Sequence, residues 1–443
     1  SPYLLVLAMA SLGSSQAIAA NANWTGGGSD ALWSNPLNWS ATPVPGSADT
    51  ATFDGTSTTP LTIDLGSGGV VVNRIFINGA SVPSYTFGAG GPNAQTLTLN
   101  NTGDCIYGGP GTANAAAKIT INASIRLNGA SPRFYPSGPS DATGGTPPYI
   151  INGNVTTLAA SGSTILRLNH RNMLFTGVLS DGASAKLGFT AENGQVTTLS
   201  NPNNNFTGGL GFDNGTVSVS SIGMIGTNSA AGAGGNLNMG SGFGGGVFTY
   251  TGTGNTTNRV INLAAGVSQT SSINHAGTGL LKFTADMTFT GASGKVIGLR
   301  GATAGVGEMA GSIGDAPTSG STTTTSAGGA AEGATVINVN DRRAAPLGSY
   351  LTGTGIAPGT YVIANVSTSN NVGNLTLSSP IVAPGVGNNQ TLTFTGVNAV
   401  SKTESGRWIL SGNNTYSGLT SIGGGTLSAY SLNSVATPST SSS

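Results

Sequence analysis

Side chains that could perform catalysis are sparse and scattered in this sequence. Fifteen Asp and Glu residues are spread over 443 positions. Glycoside hydrolysis needs two carboxyl groups flanking one bond, and no predicted strand has the Asp-x-Asp or Glu-x-Glu spacing that would place two on one face. Asp49 and Asp54 form the closest acidic pair near the N-terminus, and we interpret both as turn residues that bond to the backbone. The sequence therefore predicts no catalytic residue, although a coiled fold could bring distant acids together.

The residue types that bind metals or act as nucleophiles are equally isolated. His170 and His275 lie far apart, and neither has a second ligand at strand or helix spacing, so we expect no zinc site. Cys105 is the single cysteine, so no intrachain disulfide can form. It lies beside Asp104 instead of a cation, which favours a buried apolar role over a reactive thiol. Gly26–Asp30 faintly resembles one calcium-binding loop, but one copy is weak evidence. We expect no metal and no cofactor.

Charge excludes several classes of partner. Only 7% of residues are charged, against about 25% in an ordinary soluble domain. No basic patch indicates nucleic-acid binding. Asp341-Arg342-Arg343 is the densest charge cluster, and we interpret it as a solvated loop, with a ligand contact as the alternative. Glycine is abundant, at 72 residues, yet hydrophobic residues reach 37%, which argues against disorder.

The N-terminus indicates export. Residues 1–19 combine an apolar run that is too short to span a bilayer with the small-x-small signature Ala17-Ile18-Ala19. We therefore predict a signal peptide at 1–19. No later segment is apolar enough to span a membrane as a helix, so we expect a secreted or cell-surface chain without a membrane-spanning segment in its mature part.

Strict alternation of apolar and polar residues dominates the remaining sequence and predicts strands with one buried face. Ile119–Leu127 and Leu281–Phe289 are the longest examples. Several runs end in Asn-Gly, as at Asn128-Gly129 and Asn152-Gly153, where both residues tolerate a positive φ and a sharp turn. No window has a convincing helical stripe. This pattern fits an antiparallel sandwich or a coiled parallel solenoid.

Internal repeats favour the solenoid. An aromatic–hydroxyl–glycine unit recurs with Phe175, Phe206, Phe289 and Phe394 as its first residue, and with Tyr250 and Tyr416 in variants. Asn204–Ser218 also aligns without gaps on Asn414–Ser428. Stacked coils would place each aromatic on its equivalent in the next coil. At about 20 residues per coil, we expect about fifteen coils.

The residues Leu410–Ser428 closely resemble the autotransporter-associated β-strand repeat of secreted bacterial passenger domains, with Asn414, Tyr416, Ser417 and Gly418 at its core. Trp24–Gly55 resembles the cap that often precedes such repeats. The resemblance implies an all-β fold, a right-handed parallel β-helix.

Composition divides the chain further. We place the N-terminal cap at 20–60, the β-helix at 61–314 and a Ser/Thr/Gly-rich linker at 315–333. A small inserted β module follows at 334–396, and it resembles modules inserted in bacterial surface and phage tail proteins. The β-helix repeat resumes at 397–430, and 431–443 is predicted to be a disordered tail.

Three functions fit this organisation. The first is a non-enzymatic structural or adhesive surface protein that contacts a glycan or copies of itself, with fibre or matrix assembly through its ends. The second is a polysaccharide-acting β-helix enzyme, a lyase or a glycoside hydrolase. In the third, the β-helix is a stalk that displays the 334–396 module as the binding unit.

Overall fold

The computed structural model describes residues 21–55, 61–78, 82–108, 118–135, 149–169, 171–240, 244–264, 270–290, 295–315, 321–345, 349–369, 372–395 and 398–430. The predicted signal peptide at 1–19, the predicted tail at 431–443 and His170 lie outside the described residues.

Three parallel faces form the body of the molecule. The first sheet has eleven strands: Ala22–Asn23, Thr50–Phe53, Arg74–Ile77, Asp104–Gly108, Arg133–Tyr135, Ser163–Leu168, Lys186–Glu192, Leu210–Asp213, Leu237–Met239, Ile261–Leu263 and Thr288–Phe289. The second sheet has twelve: Leu61–Ile63, Tyr85–Phe87, Ile119–Ile121, Tyr149–Ile151, Met173–Phe175, Val196–Leu199, Thr216–Val219, Val247–Tyr250, Ser271–His275, Val296–Arg300, Ala399–Lys402 and Thr420–Ile422.

The third face consists of two shorter sheets. Four strands form its N-terminal part: Val70–Val72, Thr96–Leu99, Ser124–Leu127 and Val155–Thr157. Five strands form its C-terminal part: Asn255–Thr257, Leu280–Phe283, Val306–Met309, Arg407–Leu410 and Thr426–Ala429.

One coil passes over the three faces in a fixed order. The chain runs from Arg74–Ile77 on the first sheet to Tyr85–Phe87 on the second and Thr96–Leu99 on the third. It then returns to the first sheet at Asp104–Gly108, which pairs in parallel with Arg74–Ile77. The predicted parallel β-helix is confirmed. Successive strands of the second sheet begin 20 to 34 residues apart outside the insertion, so the expected coil length of about 20 residues is too short for most coils and about fifteen coils is too many.

The alternation of the sequence fills the interior. In Ile119–Ile121 both isoleucines are buried and the central threonine faces outward. At the N-terminal end, Trp24, Trp33 and Trp39 are buried around Phe53, with ring centroids 5.9 to 6.3 Å from it. These side chains close the first coil with apolar surface in place of a further strand.

Glycine is required where coils touch backbone to backbone. A Cβ at Gly153 would lie 1.8 Å from the carbonyl oxygen of Ala123, and one at Gly177 would lie 2.1 Å from that of Gly153. The expected reason, a positive φ at Asn152-Gly153, is wrong, because neither residue has one. The glycine is there because a side chain would force neighbouring coils apart.

Buried side chains bond to the backbone where the third face is interrupted, between Val155–Thr157 and Asn255–Thr257. Asn204 is fully buried; its Oδ1 accepts from the N–H of Leu179 at 2.9 Å and its Nδ2 donates to the carbonyl of Ala230 at 3.0 Å. Arg259, also fully buried, donates to the carbonyls of Ala231 and Gly234 at 2.6 and 2.7 Å. These contacts satisfy buried backbone groups that lack a neighbouring strand.

An antiparallel unit interrupts the coils near the C-terminus. Its six strands are Ser321–Thr325, Val336–Val339, Tyr350–Thr352, Val362–Ser369, Val372–Leu377 and Thr391–Thr395, in two three-stranded sheets. It has a separate core that includes Leu375 and Phe394. Val296–Arg300 pairs directly with Ala399–Lys402, so the coil continues as if the unit were absent. The described chain also has two short 3-10 helices, Pro36–Asn38 and Arg342–Ala344.

The linker predicted at 315–333 is wrong in part. Ser321–Thr325 lies within it and pairs antiparallel with Thr391–Thr395. Threonine favours strands, but the partner lies far along the sequence and no local apolar period indicates it.

Candidate functional site

The acidic residues near the N-terminus bond to the protein itself. Asp49 Oδ2 accepts from the N–H of Gly46 at 2.7 Å, within one turn. Asp54 Oδ2 accepts from Asn23 Nδ2 at 2.7 Å, between neighbouring strands of the first sheet. Asp30 Oδ1 accepts from the N–H of Leu32 and from two asparagine side chains at 3.0 to 3.1 Å, which lowers its pKa. A cation at Asp30 would have to displace these donors.

Cys105 and His275 are both buried. Cys105 Sγ lies 3.1 Å from the carbonyl oxygen of Asn101, and burial raises the pKa of its thiol to about 12. A thiol with this pKa is protonated and unreactive at neutral pH. His275 Nε2 donates to the carbonyl of Gly279 at 2.8 Å, and its Nδ1 accepts from the N–H of Gly277 at 3.1 Å. Burial lowers the pKa of His275. Both ring nitrogens are used within one turn, so neither is available to a ligand.

No three His, Cys, Asp or Glu side chains of the described residues come together as a group that could hold a metal ion. Of the charge cluster at 341–343, Asp341 donates its N–H to Thr324 Oγ1 at 2.8 Å, and Arg342 begins a short 3-10 helix. Within the described residues, no helix combines the length and apolar character that crossing a membrane requires.

The strongest candidate for a binding surface lies on the outer face of the first sheet. Outward side chains of the early coils form two neighbouring rows on this face. We call these rows, together with Arg74, the arginine–tyrosine strip. The parallel register places Phe76 beside Tyr107, Tyr107 beside Tyr135, Asp104 beside Arg133, and Arg133 beside Arg167. Consecutive members of a row are separated by one strand spacing, about 4.8 Å.

Rings and guanidinium groups in the strip cover one another. Phe76 and Tyr107 stack with centroids 4.3 Å apart and planes inclined by 10°. The guanidinium carbon of Arg74 lies 5.6 Å from the centre of the Tyr107 ring, and that of Arg133 lies 4.7 Å from the centre of Tyr135. At least one face of each of these three rings is therefore covered.

Two ion pairs order the charged row. Arg133 Nε lies 2.5 Å from Asp104 Oδ1, and this hydrogen bond raises the pKa of Arg133. Arg167 Nε pairs with Glu192 Oε1, and Glu192 Oε2 accepts from Asn169 at 2.9 Å. Glu192 is 2% exposed, whereas the side chains of Arg133 and Arg167 are 31% and 36% exposed. Both pairs use Nε, so the terminal nitrogens of both arginines remain available to other acceptors.

The same charged row is uncharged in later coils. Beyond Arg167 the register continues through Thr190, Gly211, Asn238, Asn262 and Thr288. There Asn262 Nδ2 donates to Asn238 Oδ1 at 3.3 Å, and Thr288 Oγ1 donates to Asn262 Oδ1 at 3.0 Å. Stacking of the coils is thus achieved with amides and hydroxyls. The arginines, acids and rings of the early coils exceed what stacking requires.

Sequence reasoning missed the strip. Its signal is short: arginine and an aromatic residue stand two positions apart in Arg74–Phe76 and in Arg133–Tyr135, which places both on one face of a strand. Only the register between coils brings these pairs together.

The aromatic–hydroxyl–glycine units are not equivalent in the fold. Phe175 ends a strand of the second sheet, Phe289 ends a strand of the first, and Phe394 lies in the antiparallel unit. The predicted stacking of these aromatics on one another is wrong. Phe206, for example, meets Phe189 edge-on, with centroids 4.9 Å apart.

The two aligned segments, Asn204–Ser218 and Asn414–Ser428, make equivalent hydrogen bonds. Asp181 accepts from Thr207 N at 2.9 Å and from Thr207 Oγ1 at 2.6 Å. Asp315 accepts in the same way from Ser417 N at 3.0 Å and Ser417 Oγ at 2.6 Å. Each pair joins a coil corner to the corner of the next coil, so the repeat unit is a corner and not a single strand.

The Asn that opens each copy acts in the same way. Asn204 Oδ1 accepts from the N–H of Leu179, and Asn414 Oδ1 accepts from that of Ile313 at 3.0 Å. The strands that follow differ, because Thr216–Val219 belongs to the second sheet and Thr426–Ala429 to the third. The segment Asn414–Ser428 therefore lies one face further around the coil than Asn204–Ser218.

The fold is a parallel β-helix whose neighbouring corners are joined by these contacts. Residues 400–429 match the family model described as passenger-associated-transport-repeat. The match spans the coil that contains Trp408, Tyr416 and Leu427, and it confirms the resemblance to passenger repeats. Neither curated proteins nor solved structures gave a match.

Proposed function

We propose that this chain is the exported part of a bacterial surface protein and serves as a non-enzymatic structural and adhesive element. One observation carries the proposal: a passenger-type repeat at 400–429 lies on a continuous three-faced parallel coil. The resemblance implies export and display at the cell surface for chains that carry such repeats.

The outer faces support adhesion. Long parallel sheets present regular rows of threonine, asparagine and serine, which hydrate the surface in a chain with 7% charged residues. Such rows offer many weak hydrogen bonds along an extended contact, and several weak contacts on one scaffold add up to strong attachment. Self-association and glycan binding are two forms of the same proposal.

Display on cells tests this function. The chain, fused behind an export signal and an outer-membrane anchor, is expected to become accessible to external protease and antibody. Cells that display it are expected to adhere to a glycan-coated surface more strongly than cells with the empty anchor. Intracellular retention, or adhesion equal to that of the empty anchor, would contradict the proposal.

The alternative location for the binding site is the antiparallel unit. This unit has its own core and exposes Tyr361, Ile363 and Val366. Adhesion is measured for cells that display a chain in which 316–397 is replaced by a short linker. This distinguishes binding by the coil from binding by the antiparallel unit. Retained adhesion places binding on the coil, and lost adhesion places it on the unit.

The enzymatic alternative has its own readout. A polysaccharide lyase or hydrolase would release new reducing ends from a soluble polysaccharide, whereas an adhesin would bind the same polymer without shortening it. Release of reducing ends that scales with protein concentration would refute the non-enzymatic proposal.

A further inference from the structure

The arginine–tyrosine strip differs from the remainder of its own sheet. Seven of the chain's 30 charged residues lie on one outer face of neighbouring coils, namely Arg74, Asp104, Arg133, Arg167, Lys186, Glu192 and Asp213. Three of the four cations among them are arginine. Since the later coils stack with threonine and asparagine in the same row, packing alone does not explain this composition.

The charge balance of the strip favours an anionic partner. Three arginines and Lys186 lie on this face with the carboxylates of Asp104, Glu192 and Asp213, so cations exceed acids by one. Glu192 and Asp213 are buried, whereas Lys186 is exposed. Arg74 has no carboxylate partner among the described residues. Its Nε is buried without a hydrogen-bond partner there, so a ligand would meet only its terminal nitrogens. Its position over Tyr107 holds the guanidinium in one orientation.

The shape of the strip favours a linear polymer over a globular protein. A stable protein interface buries about 800 Å² on each side around an apolar centre. The strip is two rows wide, and each of its rings has at least one face covered by a neighbouring ring or a guanidinium group. Its groups recur about every 4.8 Å along the coil axis, so an extended chain lying along that axis would meet one arginine or tyrosine in each coil.

We propose that the arginine–tyrosine strip binds an acidic polysaccharide. The carboxylates of the polymer accept hydrogen bonds from the guanidinium nitrogens of Arg74, Arg133 and Arg167, and its hydroxyls bond to the tyrosine edges. This assignment rests on the proposed adhesive function and specifies its ligand class and its site.

The test measures binding of the purified full chain to alginate, a carboxylated polysaccharide, and to dextran, a neutral one. Alginate is expected to bind more tightly than dextran, and more weakly as salt is raised. Arg74→Gln is expected to lower the affinity for alginate about tenfold or more, since it removes one hydrogen bond to a charged group.

Arg126→Gln is the matched control. Arg126 is exposed on the third face, so the variant makes the same change of charge away from the strip. It is expected to leave alginate binding unchanged, and thermal unfolding of both variants is expected to match that of the unmodified chain.

Three outcomes would overturn the proposal: no binding of alginate, equal binding of dextran, or equal losses in the two variants. Each can occur while displayed cells still adhere, in which case the adhesive function stands and the strip is not its site. Failure of display refutes the proposed function whatever the binding result.

Discussion

The carboxylate of Asp315 accepts a hydrogen bond from the backbone N–H of Asn398 at 2.8 Å, across the whole inserted unit. Asn398 Nδ2 also donates to the carbonyl of Gly314 at 2.7 Å, and its Oδ1 accepts from the N–H of Lys295 at 2.9 Å. The two ends of the insertion are therefore joined at one coil corner, which explains why the coil continues in register on both sides.

Removal of the insertion is expected to leave the β-helix folded. Replacing 316–397 by a linker of a few glycines keeps Asp315 and Asn398 within reach of each other, and it removes a unit whose core is separate. Far-ultraviolet circular dichroism and thermal unfolding check this, with an expected parallel-sheet spectrum and a cooperative transition. A chain that expresses only as aggregate would show that the unit supports the coil.

Asp181→Ala is expected to destabilise the protein by about 1–3 kcal/mol, because it leaves the N–H groups of Leu187 and Thr207 without their acceptor. Urea unfolding measures the loss. Asp181→Asn keeps one oxygen acceptor and is expected to lose less than Asp181→Ala. Equal effects of the two substitutions would mean that the carboxylate contacts do not hold the corner.

Gly177→Ala is expected to be strongly destabilising, because its Cβ would lie 2.1 Å from the carbonyl oxygen of Gly153. Two coils would have to separate, which costs about 3 kcal/mol or more, at the upper end of point-mutation effects. Gly68→Ala is the control, since a Cβ there meets nothing within 4 Å and its φ is not positive. The midpoint of thermal unfolding should fall only for Gly177→Ala.

The stability of the protein is expected to depend on pH through His275. Burial lowers its folded pKa below 6.5, so the unfolded chain takes up a proton first as the pH falls. This destabilises the folded state, starting near pH 6.5 and growing until the pH reaches the folded pKa. Above that window the ring is neutral in both states and contributes no pH dependence.

The variant His275→Gln separates this effect from other titrating groups. Between pH 7 and pH 5 the midpoint of urea unfolding should fall less steeply in the variant than in the unmodified protein. Parallel slopes in the two proteins would exclude His275 as the source.

Much of the fold can be predicted from short stretches of sequence. Alternating residues such as those of Ile119–Ile121 indicate strands with one buried face, because side chains on a strand point to opposite sides. The motif at Asn414–Gly418 indicated the family of the repeat, since its amide and hydroxyl make short-range corner contacts. The strip could not be predicted in this way, because Arg74, Tyr107 and Arg133 lie in separate coils.

Most strands, the corner residues and the passenger-type repeat can be predicted from the sequence, because each depends on neighbours a few positions apart. The tertiary structure alone decided which strands lie side by side, where the coil resumes after the insertion, and which outward side chains form a continuous row. These depend on the length of every coil, which varies from 20 to 34 residues outside the insertion. Only the closure of each coil on the previous one sets that register.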